Sequence, residues 1–233
     1  MRKLLVILAL LAAVASACGG GDGDTKDLTG REIADEELSM MALPLSELGP
    51  QYADFALQED GSGFRSNEER IDEDLDSEDE AEDVQRFGRV NGYIESYSFP
   101  GALSQEEGPF GIEMRVTLYE DAGGASEDLF NDAEDAKRQV GTGDESLRLE
   151  DAAAFDPDGI GDESVGLMMT FSVSGGQDRK LYETLVGFRQ GRLLGSFVIL
   201  RWDDEDVREE AATAAHKLNE RILAVLQEEA AGP

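Results

Sequence analysis

Carboxylate oxygen is the only reactive chemistry this chain offers in quantity. Its 233 residues include 52 Asp and Glu, against one histidine and one cysteine. Zinc and other transition metals need clusters of imidazole and thiolate, and one of each builds no such site. Calcium takes oxygen ligands, and two stretches supply them. Asp72, Asp74, Asp76, Glu78, Glu80 and Asp83 fall at the spacing of a calcium-binding loop. Against that reading, position six is Ser77 rather than glycine, and the apolar eighth position is Asp79. The second stretch is Asp156-Pro157-Asp158-Gly159 with Asp162. It offers Asp156, Asp158 and Asp162 to calcium, or else a Pro-Asp-Gly turn feeding a strand. A chain this acidic produces acid triplets by chance, so no metal and no cofactor is expected.

Catalysis finds little else to work with. A nucleophilic triad needs a base, and the lone histidine, His216, sits in a helical stripe beside Ala215 and Leu218. No serine lies in a Gly-x-Ser-x-Gly elbow, and no phosphate-cradling loop of the Walker type exists. Paired carboxylates could hydrolyse glycosides, but the acids are too many to nominate a pair. Trp202 follows a buried strand and reads as a core or edge residue rather than a sugar platform. Tyr93, Tyr97, Phe99 and Tyr119 could share an open sheet face, a surface for a partner or a small apolar ligand. Ordinary cross-strand pairing under a loop is the alternative. The chain is expected to bind rather than to catalyse, with a carboxylate hydrolase or a structural envelope component as the rivals.

The elements that would position these residues follow from periodicity. Ile112, Met114, Val116 and Leu118 alternate with Glu113, Arg115, Thr117 and Tyr119, a strand with one wet face. Val90, Gly92 and Ile94 oppose Tyr93, Tyr97 and Phe99 in the strand before it. Val165 to Val173 and Tyr182 to Phe188 alternate likewise, and Leu194 to Leu200 is nearly all apolar, a central strand. Arg189-Gln190-Gly191-Arg192 is a hairpin turn.

Ala125, Leu129, Ala133, Ala136 and Val140 make one helical stripe, with Ser126 as its cap and Gly123-Gly124 as the turn before it. Val207, Ala211, Leu218, Ile222 and Val225 make a second, over Asp204 to Glu228, capped by Asp203 or Asp204. Tyr52 to Leu57 is a short candidate strand. The acid-dominated segment 67–86 is expected to be exposed or partly disordered.

The sum is a single α+β domain over residues 28–230. Its sheet is mainly antiparallel, of five to seven strands, with helices packed on one face and a possible internal duplication.

The N-terminus carries an address. Arg2 and Lys3 precede an apolar run from Leu4 to Val14, too short to span a bilayer, and Ala15-Ser16-Ala17 supplies small residues before Cys18. These features resemble a bacterial lipoprotein precursor. The family usually has leucine three residues before the cysteine, where this chain has Ala15. The resemblance implies a signal peptide over 1–17 and a lipid, palmitate included, on Cys18. It also implies a place on the extracytoplasmic face of the cell envelope. The glycine-rich stretch 18–27 suits a flexible tether. The element order, with Gly161-Asp162-Glu163-Ser164 before a strand, is also similar to PsbP-like exported lipoproteins, which implies a binding or accessory role.

Charge limits the partners. Acids outnumber the 20 bases for a formal net charge of −32, which excludes a phosphate-reading role, so no nucleic acid is expected. The expected partners are the membrane, through the lipid, and an envelope protein or a small ligand.

Overall fold

The computed structural model describes residues 29–73, 77–102, 107–143, 147–174 and 179–231. The segment expected to be a signal peptide, Cys18 and the expected tether lie outside them, as do residues 74–76 of the first candidate calcium loop. The α+β class is what the chain adopts. Eight strands form one antiparallel sheet: β1 (Ala56–Leu57), β2 (Gly63–Arg65), β3 (Arg89–Ser98), β4 (Pro109–Tyr119), β5 (Leu147–Phe155), β6 (Glu163–Val173), β7 (Arg179–Gln190) and β8 (Leu193–Arg201). The order across the sheet is β3-β4-β8-β7-β6-β5, with both β1 and β2 paired to the outer edge of β3. Five α-helices accompany it among the described residues: α1 (Asp35–Met41), α2 (Asn67–Glu73), α3 (Ser77–Phe87), α4 (Ala122–Arg138) and α5 (Arg208–Ala231).

The strand count exceeds five to seven because β1 and β2 are fragments, too short to carry a period-two signal. β5 also escapes the pattern: a register shift between Leu149 and Asp151 breaks its alternation, and Ala152 to Ala154 are small.

The helices occupy both faces of the sheet, not one. α5 buries Ala211, Ala215, Leu218, Ile222 and Val225 against Ile112, Met114, Val116, Phe197 and Ile199, and α1 adds Leu38 and Met41 to the same core. Each such aliphatic side chain fully withdrawn from water contributes roughly 1.5–3 kcal/mol. α4 turns Ala125, Leu129 and Ala133 toward the opposite face. The central strands therefore have helices on both sides, which is why β8 is nearly all apolar from Leu194 to Leu200, Ser196 excepted. Two strands (β3, β4) lie between α3 and α4, and four (β5–β8) lie between α4 and α5.

Two helix starts differ from their sequence signals. α4 begins before Ser126, because Asp121 accepts a hydrogen bond from the Gly124 amide at 2.9 Å. Gly123 and Gly124 are its first turn, and Ser126 instead bonds Glu163. α5 begins at Arg208, whose amide is bonded by Asp206 at 3.1 Å. Asp203 is occupied elsewhere, accepting from the Gly108 amide at 2.5 Å and from Arg201 Nε at 2.7 Å. Residues 67–73 and 77–86 of the acidic segment lie in α2 and α3, and α3 buries Val84 and Phe87. Tyr52 ends a 3-10 turn (Pro50–Tyr52), so only Ala56–Leu57 of that candidate strand pairs.

Candidate functional site

Between the sheet and the α3–α4 pair lies a cavity of about 980 Å³. It exists because α4 cannot fill the space beneath it. Leu129 settles on the bare backbone of Gly187, where a Cβ would come within 2.9 Å of the leucine side chain. The other residues that α4 directs to the sheet are small or charged: Ala125, Ala133, Ala136, Asp128 and Asp132. Close packing needs bulk on both sides of an interface.

The sheet register sets the floor. Arg115 on β4 pairs with Ser196 on β8, which pairs with Gly187 on β7. The next row runs Glu113, Val198, Leu185 and Leu167 across four strands. Beyond it, Glu183 on β7 sits between Leu200 on β8 and Met169 on β6. The polar residues thus gather toward β4 and the apolar ones toward β6.

Glu113 and Arg115 lie two apart on one strand and so share a face. Their side chains pair, Glu113 Oε1 to Arg115 Nε, at 2.5 Å. Arg115 is surrounded by protein, yet 43% of its side chain is open. That open surface is the cavity wall. Burial opposes its charge, but the carboxyls of Glu113, Asp132 and Glu183 outweigh burial and hold it protonated.

Two carboxyls stand out. Burial, with some help from Asp128, pushes Asp132 up to about 7. Burial also pushes Glu183 up to about 7, against the pull of Arg115. Neither receives a hydrogen bond from any described residue. Asp128 differs: burial raises it, but the Tyr119 hydroxyl donates to it and moderates the shift. The same burial, with the Asp128 charge, drives the Tyr119 hydroxyl well above its ordinary value. At the rim, Arg70 pairs with Glu80 at 2.8 Å, and Arg89 donates to Asn67 Oδ1 at 2.6 Å and to the Arg65 carbonyl at 2.9 Å.

Of the residues singled out from sequence, Tyr119, Glu80 and Asp83 line the cavity, whereas Tyr93, Tyr97 and Phe99 do not. Tyr93, Tyr97 and Phe99 pack against the α5-side core, and Phe64 of β2 meets Tyr93 edge-on at 5.2 Å. Tyr119 is buried on the opposite face beside Phe87 and Ala125. The four do not share a face, and the three on the other side are half-buried against the α5-side core.

His216 is exposed on α5. Trp202 stacks on Phe110 at 4.3 Å under the Arg179 guanidinium and donates to the Ala102 carbonyl at 2.9 Å, an edge residue outside the cavity. Among the described residues no group of three His, Cys, Asp or Glu is arranged to hold a metal. Asp156 accepts from the Asp158 amide at 3.0 Å, closing a turn.

Asp162 works as a clamp. Its Oδ2 accepts from the Gly191 amide at 2.8 Å and from Arg189 Nη1 at 2.9 Å, and Glu163 holds Arg189 Nε at 2.7 Å. It thereby fixes the β7–β8 hairpin, whose Gly191 has φ +60°. Asp162→Ala is expected to cost about 1–3 kcal/mol, since a buried amide loses its acceptor. The urea midpoint reads this, and an equal drop of the unsubstituted protein in calcium chelator would reassign Asp162 to a cation.

No family model and no curated protein matches the sequence. The structure is similar to the crystal structure of the extracellular domain of PknH from Mycobacterium tuberculosis, with a TM-score of 0.53 and 12% sequence identity. The match covers 83% of this chain and 98% of that one. At that identity the likeness is one of fold. No described helix is long and apolar enough to cross a membrane.

Proposed function

We propose that the chain is a non-catalytic lipoprotein of the cell envelope. A lipid on Cys18 tethers it to the extracytoplasmic face of a membrane, and its domain binds a small ligand in the cavity beneath α4. The single observation that carries the binding role is the cavity: about 980 Å³, polar toward β4, apolar toward β6, with unpartnered carboxyls facing into it. Ligand sites are concave, mainly apolar and furnished with a few convergent polar groups. The lipobox-like N-terminus, the weak PsbP-like pattern and a fold shared with an extracellular domain support the location.

A neutral solvatochromic dye tests the site. It should bind the full chain saturably, and Ser196→Phe, which sets a ring on the cavity floor, should abolish binding while the far-ultraviolet circular dichroism stays native. Dye binding that survives in the folded variant sinks the proposal. Mass spectrometry of protein from the native host tests the anchor, and an unmodified Cys18 would overturn it.

One observation favours a second reading. Asp132 and Glu183 converge on one cavity and both titrate near neutrality, as carboxylates in acid–base catalysis do. They are shifted alike, however, whereas a hydrolase needs its pair driven apart. Turnover of chromogenic glycosides that both Asp132→Asn and Glu183→Gln eliminate would establish the hydrolase instead.

A further inference from the structure

We infer that the cavity selects small amphipathic amines, with the ammonium group held by Asp132 and Glu183 and the apolar body lying toward β6. The inference rests on the binding role proposed above and names its ligand class. Three observations converge on it.

The first is the state of the two carboxyls. One comes from α4 and the other from β7, both line the cavity, with Asp132 open to it and Glu183 half-buried, and neither has a hydrogen-bonding partner among the described residues. Carboxyls that open on one cavity without a partner in the protein are left to accept from a ligand. The groups that face them are few. Asp132 meets Asp128 on its own helix, Arg70 of α2, Glu80 of α3 and Arg115 of β4. Glu183 meets Glu113 and Arg115 of β4. Arg70 is engaged by Glu80 and Arg115 by Glu113. The cations nearest the pair are thus each matched by a carboxylate of their own.

The second is the opposite wall. Leu167, Met169, Phe171, Leu185 and Val198 form an apolar surface beside Glu183. A ligand that fits both regions has a charged end and a hydrocarbon body. The third is the field of the molecule, whose net charge of −32 draws cations toward the mouth and repels carboxylates and phosphates.

Ammonium binding would draw both carboxyls into their ionised form and release protons, so affinity climbs as pH rises through neutrality. The experiment is displacement of the neutral dye from the full chain by hexylamine, hexan-1-ol and hexanoate, matched in chain length, at pH 8 and pH 5.5. At pH 8, hexylamine is expected to displace the dye at about tenfold lower concentration than hexan-1-ol, with hexanoate weakest. At pH 5.5 that advantage should shrink about tenfold. The double variant Asp132→Asn, Glu183→Gln should lose the preference for the amine while keeping the dye and the alcohol. Equal displacement by amine and alcohol, or a preference for hexanoate, overturns the amine assignment and leaves the cavity as a ligand site. Failure of the dye and all three compounds to bind overturns the ligand site itself, and this inference with it.

Discussion

Gly124→Ala is expected to destabilise the protein by about 2–4 kcal/mol, although alanine is the better helix former. Gly124 lies in the first turn of α4, where propensity alone would favour alanine by about 1 kcal/mol. Packing reverses the sign. A Cβ at this position would lie 1.9 Å from the Phe87 carbonyl oxygen and 2.9 Å from its carbonyl carbon. Both atoms are main chain and cannot rotate away. The end of α3 is itself held: the Gly88 carbonyl accepts from the Glu120 amide at 2.8 Å, and Gly88 has φ +65°. Relief would require α3 and α4 to part, and they are the two helices that roof the cavity.

Gly123→Ala is the control. Its Cβ would meet only the Asp121 carboxylate oxygen, at 3.1 Å, the end of a movable side chain. That change should lie within about 0.5 kcal/mol of the unsubstituted protein. Urea midpoints of the two variants decide the matter, and a raised midpoint for Gly124→Ala would show that the helices do not meet backbone to backbone.

The same glycine shows why part of the fold was legible and part was not. Period-two alternation exposes β4, β6 and β7, because each pleat sends alternate side chains to opposite faces, and the apolar run of β8 marks a central strand. The apolar stripes of α4 and α5 are equally plain. Gly123-Gly124, by contrast, has the composition of a turn. Only the approach of Phe87, brought in from α3, explains a glycine inside a helix.

The helix faces were hidden for a related reason. Glu113, Arg115 and Thr117 read as a wet strand face, and they do meet open space, but that space lies under α4. The nearly continuous apolar run of β8, broken only by Ser196, was the local sign that helices lie over both faces. Among 52 acids, nothing in composition separates Asp132 and Glu183 from the solvated remainder. A faint signal existed for Glu183. It stands on a strand between Leu181 and Leu185, which share its face, and an acid there is enclosed unless the sheet is bare. Asp132 gave no such signal, since its helix neighbours on the polar side are acids too. Asp162 was legible as a turn residue but not as a clamp, because Arg189 and the Gly191 amide reach it only once β6, β7 and β8 are paired.

Glu183→Gln is expected to stabilise the protein at pH 8 by on the order of 2 kcal/mol and to change it little at pH 4. Glu183 titrates near 7 in the folded protein, chiefly because burial penalises its charge, and near 4.3 in the unfolded chain. Below about pH 4 both states hold the proton, and the residue costs nothing. Between about 4 and 7 the unfolded chain has released its proton while the native protein retains it, so stability falls as pH rises. Above 7 the penalty is complete.

The full shift would exceed 2 kcal/mol, but water in the cavity screens the charge and the figure is reduced accordingly. Glutamine keeps the size and removes the ionisation, so the gain should track pH along that window. Asp132→Asn should act in the same direction and more weakly, because Asp132 is more open to the cavity. Urea denaturation from pH 4 to 8 reads both. A gain for Glu183→Gln that is the same at pH 4 and pH 8 would assign the effect to packing and remove the buried charge from the account. A gain confined to neutral and alkaline pH means the native chain tolerates a destabilising carboxylate in the cavity beneath α4. A position held by folding alone would favour the amide, so a retained glutamate points to a ligand that the ionised form recognises.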